Sequence, residues 1–236
     1  MNIQLIAEIM GTVAFAISGA MLAIERKMDL FGIVFLGIVT AAGGGFIRDM
    51  TLGIVPPAMF SSPMVLPLAI LSSLAVCALV AWLYKGSDEE LHGERFQWIL
   101  NFTDAIGLGL FTVAGANTAI DSGYGAYHAY VLFLGMLTGV GGGMFRDVLA
   151  GIMPAVLRKH VYACASLVGA ICYLGLLCAM PRGYAMFTGA MIVVVIRLLA
   201  SHYKWNIPRV MYTNKEDKVD DENAGSVIRR GCKSFC

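Results

Sequence analysis

The chain has 236 residues, 58% of them hydrophobic and only 14% charged, with a formal net charge of +1. Ordinary soluble domains carry roughly 25% charged residues, and the mean hydropathy here is +0.73. These values exclude a soluble enzyme with polar helix faces, and the near-zero charge leaves no global field to select nucleic acid.

Taken in chain order, the apolar residues fall in seven runs, each near the ~20 residues a helix needs to cross a bilayer. They are Leu5–Ile24, Leu30–Ile47, Met64–Tyr84, Ile99–Ile120, Ala129–Phe145, Val161–Ala179 and Tyr184–Ala200. The pattern predicts an all-α membrane protein with seven transmembrane helices, and the first run is read as a retained helix, not a signal peptide. Basic residues crowd the odd-numbered loops: Arg26 and Lys27, Lys85 and Arg95, Arg158 and Lys159, then the tail from Lys204. The opposite side has Arg48 and Arg182 and little else. This asymmetry puts the N-terminus outside and the C-terminus in the cytoplasm. Residues 204–236 mix Lys and Arg with Glu216, Asp217, Asp220, Asp221 and Glu222, and read as a disordered cytoplasmic tail. Cys77, Cys164, Cys172 and Cys178 lie in apolar spans and read as small hydrophobes, while Cys232 and Cys236 lie in the tail.

The chain is written twice. Gly11–Ile24 (GTVAFAISGAMLAI) aligns with Gly107–Ile120 (GLGLFTVAGANTAI) at a shift of 96. Phe35–Pro56 (FLGIVTAAGGGFIRDMTLGIVP) aligns with Phe133–Pro154 (FLGMLTGVGGGMFRDVLAGIMP) at a shift of 98. Each copy holds three spans, so the second enters the membrane from the opposite side. The expected organisation is a three-helix repeat over 1–95, its inverted copy over 96–180, a seventh helix over 181–203 and the tail. Inverted repeats are a common architecture of transporters, with sites near the bilayer midplane.

The second and fifth spans carry the glycine triplets Gly43–Gly44–Gly45 and Gly141–Gly142–Gly143. Glycine is about 1 kcal/mol worse than alanine in a helix, and a triplet strips the backbone of cover. Both spans are therefore expected to kink or unwind there, exposing carbonyls that are intolerable in lipid but useful along an ion path. Thr40 and Thr138, one turn earlier, would add hydroxyl ligands. Arg48–Asp49 and Arg146–Asp147 follow the triplets, where each arginine needs water or a partner. Glu8 and Asp104 sit at matched places in the first and fourth spans, so the pairs Glu8–Arg48 and Asp104–Arg146 are expected, one near each membrane face. Asp49 and Asp147, adjacent to an arginine on a helix, are expected to cap backbone or meet water instead. Ser18 and Asn117 are weaker candidates for pore contacts. Arg197 reads as snorkelling to the headgroups. His128 and His160 lack metal-ligand spacing, and no nucleotide loop, HExxH, CxxC or nucleophile elbow appears, so no cofactor, metal or enzyme activity is expected.

Two copies of GGGxxRD followed by Gly and Pro, in a chain of three, three and one spans, resemble the bacterial branch of the trimeric intracellular cation channel family, also labelled a glycine-transporter domain. The resemblance covers roughly residues 5–200. It implies a homotrimer in the bacterial inner membrane, with one pore inside each protomer conducting monovalent cations, chiefly potassium. It carries the pore-lining role onto Gly43–Gly45 and Gly141–Gly143, with Arg48, Asp49, Arg146 and Asp147 beside them, and membrane lipid as the other partner. Secondary transport of glycine or a similar small solute fits an inverted repeat with broken helices equally well, and a closed structural scaffold is a third reading.

Overall fold

A computed structural model describes residues 3–84, 93–158 and 161–203. Lys85, Lys159, His160 and the tail from Lys204, with Cys232 and Cys236, lie outside the described residues. The described residues form helices and no strand: α1 (Ile3–Glu25), α2 (Leu30–Leu52), α3 (Ala58–Ser61), α4 (Val65–Tyr84), α5 (Glu94–Ala119), α6 (His128–Leu149), α7 (Ala155–Arg158), α8 (Val161–Leu176) and α9 (Arg182–His202). A π-helical turn over Ile120–Tyr124 closes α5, with Gly123 at φ 90°. Six of these helices are long and apolar enough to span a bilayer. α8 is apolar but has 16 residues, about 24 Å of helix.

Two spans run further than their apolar stretches. α2 continues past Ile47 to Leu52 and α6 past Phe145 to Leu149, so both Arg–Asp pairs lie inside the helices, near their C-terminal ends. Polar residues continue a helix in this setting because their charges are satisfied within the protein. Both helices then stop at a left-handed glycine. Gly53 has φ 70° and Gly151 φ 69°, a conformation that costs an L-residue with a Cβ about 1–2 kcal/mol. The amides of Ile54 and Ile152 return to the carbonyls of Asp49 and Asp147 at 2.9 and 3.0 Å, completing the cap.

The expected unwinding at the triplets does not occur. α2 and α6 are α-helical through Gly43–Gly45 and Gly141–Gly143, and no triplet glycine has positive φ. The glycines serve close approach instead. A Cβ on Gly44 would overlap the Thr138 carbonyl oxygen, and a Cβ on Gly142 would overlap that of Thr40. Helix–helix packing supplies the stability that three glycines remove, so the backbone need not break.

These contacts also reveal the symmetry. Gly44 corresponds to Gly142 in the duplication and Thr40 to Thr138, so each contact is the image of the other. The same holds for α1 and α5: a Cβ on Gly11 would lie 3.1 Å from the Phe111 ring, and a Cβ on Gly107 would overlap Phe15. Reciprocal contacts of this kind mark a two-fold axis. In both helix pairs the earlier residue of one helix meets the later residue of the other, so the pairs cross antiparallel. The axis therefore runs across the helices, in the plane of the membrane they span. Phe15 and Phe111 meet beside it, their ring centroids 5.2 Å apart. Around these four central helices, α4 packs on α1 and α2, α8 on α5 and α6, and α9 on α5 and α8.

Candidate functional site

The site consists of the α2–α6 crossing and a charged cluster on each side of it. At the crossing the packing is tight. The Cβ position of Gly141 lies 3.2 Å from the Gly44 Cα, and that of Gly43 lies 2.7 Å from the Phe145 ring. A Cβ on Gly143 would lie 2.7 Å from the Tyr162 hydroxyl and 3.6 Å from Asp104 Oδ1. Gly45 is the loosest: a Cβ there would meet only Arg48 Nη2, at 3.8 Å. Thr40 and Thr138 are fully buried, and their hydroxyls donate to the carbonyls of Leu36 and Leu134, both at 2.6 Å. Gly19 and Gly115 pack directly on those hydroxyls.

Each Arg–Asp pair folds into the same knot. Arg146 Nε and Nη2 both donate to Asp147 Oδ1, at 2.9 and 2.8 Å. Arg48 Nε and Nη2 do the same to Asp49 Oδ1, both at 2.8 Å. The expectation that neighbours on a helix do not pair is thus corrected: the long arginine stem bends across the ~100° between successive residues. The second carboxylate oxygen does cap backbone. Asp49 Oδ2 accepts from the Ala58 amide at 2.7 Å, and Asp147 Oδ2 from the Ala155 amide at 2.8 Å. In each copy, then, one aspartate ties the end of a membrane helix to the one-turn helix that follows it. All four side chains are buried, where a charge persists only when paired and hydrogen-bonded.

Beyond this shared knot the clusters differ. Asp104 Oδ1 accepts from Arg146 Nη1 at 2.7 Å, as expected, and Ser18 accepts a short bond from the same nitrogen. The expected Glu8–Arg48 pair is absent: Arg48 is held by Asp49, and among the described residues half-buried Glu8 accepts only from Gln4, at 3.4 Å. Two residues that the sequence did not assign to a site complete the second cluster: Tyr162, which it did not single out, and Arg197, which it placed at the headgroups. Tyr162 donates to Asp104 at 3.4 Å, and Arg197 stacks 4.6 Å over the Tyr162 ring. Arg197 is 3% exposed and does not snorkel. Its stem lies on the α9 face packed against α5 and α8, which turns it away from headgroups. A polar residue in an apolar span was the only signal for Arg197, and Tyr162 had none.

Space is equally unequal. A cavity of about 300 Å³ opens over the second cluster, lined by Glu25, Arg26, Asn101, Asp104, Arg146 and Arg197 among others. Over the first cluster a cavity of about 30 Å³ is lined by Glu8, Thr12, Arg48, Asp49 and Phe111 among others, room for about one water. Asn117 lies at neither. Its amide donates to Gln4 and Asp121 at 2.7 and 2.9 Å, and its carbonyl accepts from Tyr173 at 2.7 Å. Arg182 pairs with Asp121 at 2.6 Å, so this network laces α1, α5, α8 and α9 together. Among the described residues no group of His, Cys, Asp and Glu has metal-binding geometry.

Comparison with known proteins agrees with this architecture. A family model described as Glycine transporter matches residues 5–82 and 101–177, one match per repeat. The chain is 37% identical over 203 residues to the UPF0126 inner membrane protein YadS of Escherichia coli, covering 85% of this chain and 93% of that protein. It is 35% identical over 201 residues to the UPF0126 membrane protein YvgT of Bacillus subtilis, covering 85% and 93%. Among solved structures, a prokaryotic TRIC channel crystallised in 0.5 M KCl superimposes with a TM-score of 0.77 at 31% identity, over 87% of this chain and 98% of that one. The TRIC trimeric intracellular cation channel orthologue from Rhodobacter sphaeroides gives 0.75 at 29% identity, over 87% and 100%. A multi-pass membrane protein with this doubled motif, matched in both repeats and nearly end to end, belongs to the glycine-transporter family and has the fold of the TRIC cation channels.

Proposed function

We propose that the chain is a cation channel whose ion path runs inside each protomer, from one Arg–Asp cluster past the α2–α6 crossing to the other. The observation that carries this reading is the near-complete coverage of solved TRIC cation channels at about a third identity. The geometry supports it. Both Arg–Asp pairs lie on the helices that meet at the triplets, and each cluster places carboxylates beside a cavity. The crossing is closed here, since Gly44 and Gly142 press on opposing carbonyls. Opening requires α2 and α6 to slide apart at their glycines, which bear no side chains to interlock. Potassium as the main ion, a homotrimer, an outside N-terminus and location in the bacterial inner membrane are parts of the same proposal.

The test is flux from liposomes holding the purified full-length protein. A potassium gradient is expected to drive voltage-dependent flux that an equal glycine gradient does not replace. Saturable glycine uptake without potassium conductance would make the protein a transporter and overturn the proposal.

A further inference from the structure

The duplication pairs the charges around the crossing one for one, and a single charge is left over. Glu8 corresponds to Asp104, Arg48 to Arg146 and Asp49 to Asp147. α9 belongs to neither copy, yet it brings Arg197 into the second cluster. This guanidinium makes no hydrogen bond among the described residues, and its Nε is buried without a partner. It faces Asp104 Oδ2 at 3.8 Å, too far for a hydrogen bond, while Arg146 holds Oδ1 of the same carboxylate at 2.7 Å. The ring of Tyr162 is what keeps it in place.

The consequence is electrical. Glu8, Arg48 and Asp49 leave the first cluster with one net negative charge. Asp104, Arg146, Asp147 and Arg197 leave the second with none, and Glu25 and Arg26 at its mouth cancel. We infer that Arg197 sets the conductance of the path by making it asymmetric: its charge cancels the negative potential that the second repeat would otherwise share with the first. Cations are enriched at the Arg48 end and not at the Arg146 end, so they pass more readily from the first cluster to the second than back. One unit charge a few ångströms from a hydrated path changes local cation occupancy by about two- to threefold. This inference rests on the cation-channel reading above.

Single-channel currents of the full-length protein in planar bilayers test it, at equal and opposite voltages in symmetric KCl of about 0.15 M. The wild type is expected to rectify about twofold, and the asymmetry is expected to fade in about 1 M KCl, where the Debye length shrinks to ~3 Å. Arg197→Met should bring the current ratio close to one, while Arg197→Lys, which keeps the charge and loses the planar stack, should retain it. Glu8→Gln should also flatten the ratio, and the Glu8→Gln/Arg197→Met double variant should restore asymmetry with opposite sign. A conducting Arg197→Met channel with the wild-type ratio overturns the inference, as does an Arg197→Lys channel that behaves like Arg197→Met. A wild-type protein that passes no current sinks the channel reading itself, an outcome distinct from both.

Discussion

Asp104 carries more of the second cluster than any other single residue. It accepts from Arg146 and Tyr162 and is the carboxylate that Arg197 faces. Asp104→Asn keeps the shape but strands positive charge in a buried site. Breaking a buried pair in this way costs about 3–5 kcal/mol, so the unfolding midpoint in mixed micelles should fall steeply. Glu8→Gln at the matched position should cost less than about 1 kcal/mol in the same assay, because Glu8 is half-buried and holds no cationic side chain among the described residues. Equal losses at the two positions would mean that the first cluster contains an ion pair this structure lacks. The two acids were legible in the sequence as matched residues. Their unequal roles were not, because the difference comes from Tyr162 and Arg197, on helices that the repeat alignment does not bring near them.

At the scale of an element, the glycine triplets show how three adjacent identical residues differ. Gly44 and Gly142 each touch a carbonyl of the facing helix, and backbone cannot move aside as a side chain does. Gly44→Ala or Gly142→Ala is expected to cost at least ~3 kcal/mol or to abolish folding. A Cβ on Gly45 would meet only Arg48 Nη2, at 3.8 Å. Gly45→Ala should therefore be neutral or stabilising by up to about 1 kcal/mol, the intrinsic helix preference for alanine. Thermal unfolding of the three variants in one detergent separates them, and a uniform loss would refute the packing account. Helix propensity suggested a break here. Tertiary contact overrode it, because removing three side chains lets two backbones meet and regain in packing what the helix loses in propensity.

At the scale of the whole molecule, two copies of one three-helix unit interlock about an axis in the membrane plane, and α9 breaks their equivalence. The proposed sidedness has a simple check. A fluorescent protein fused after Cys236 should fluoresce, and alkaline phosphatase fused there should stay inactive, since both require a cytoplasmic C-terminus. The reverse pattern would invert the proposed orientation and exchange the two ends of the path. Purification in a mild detergent should give three times the protomer mass by light scattering, and a monomer would remove the homotrimer from the proposal.

Apolar run length, duplication and matched motifs were enough to establish the class of fold and the inverted repeat. These are properties of local composition and of the chain's own periodicity, so they can be read without coordinates. Only the tertiary structure decided that the triplets stay helical, that each motif arginine turns to its neighbouring aspartate, that Arg48 does not pair with Glu8, and that Arg197 is buried. The reason is physical. Where a long charged side chain settles depends on which partner lies within a few ångströms once the helices have packed, and neither spacing nor hydropathy encodes that distance.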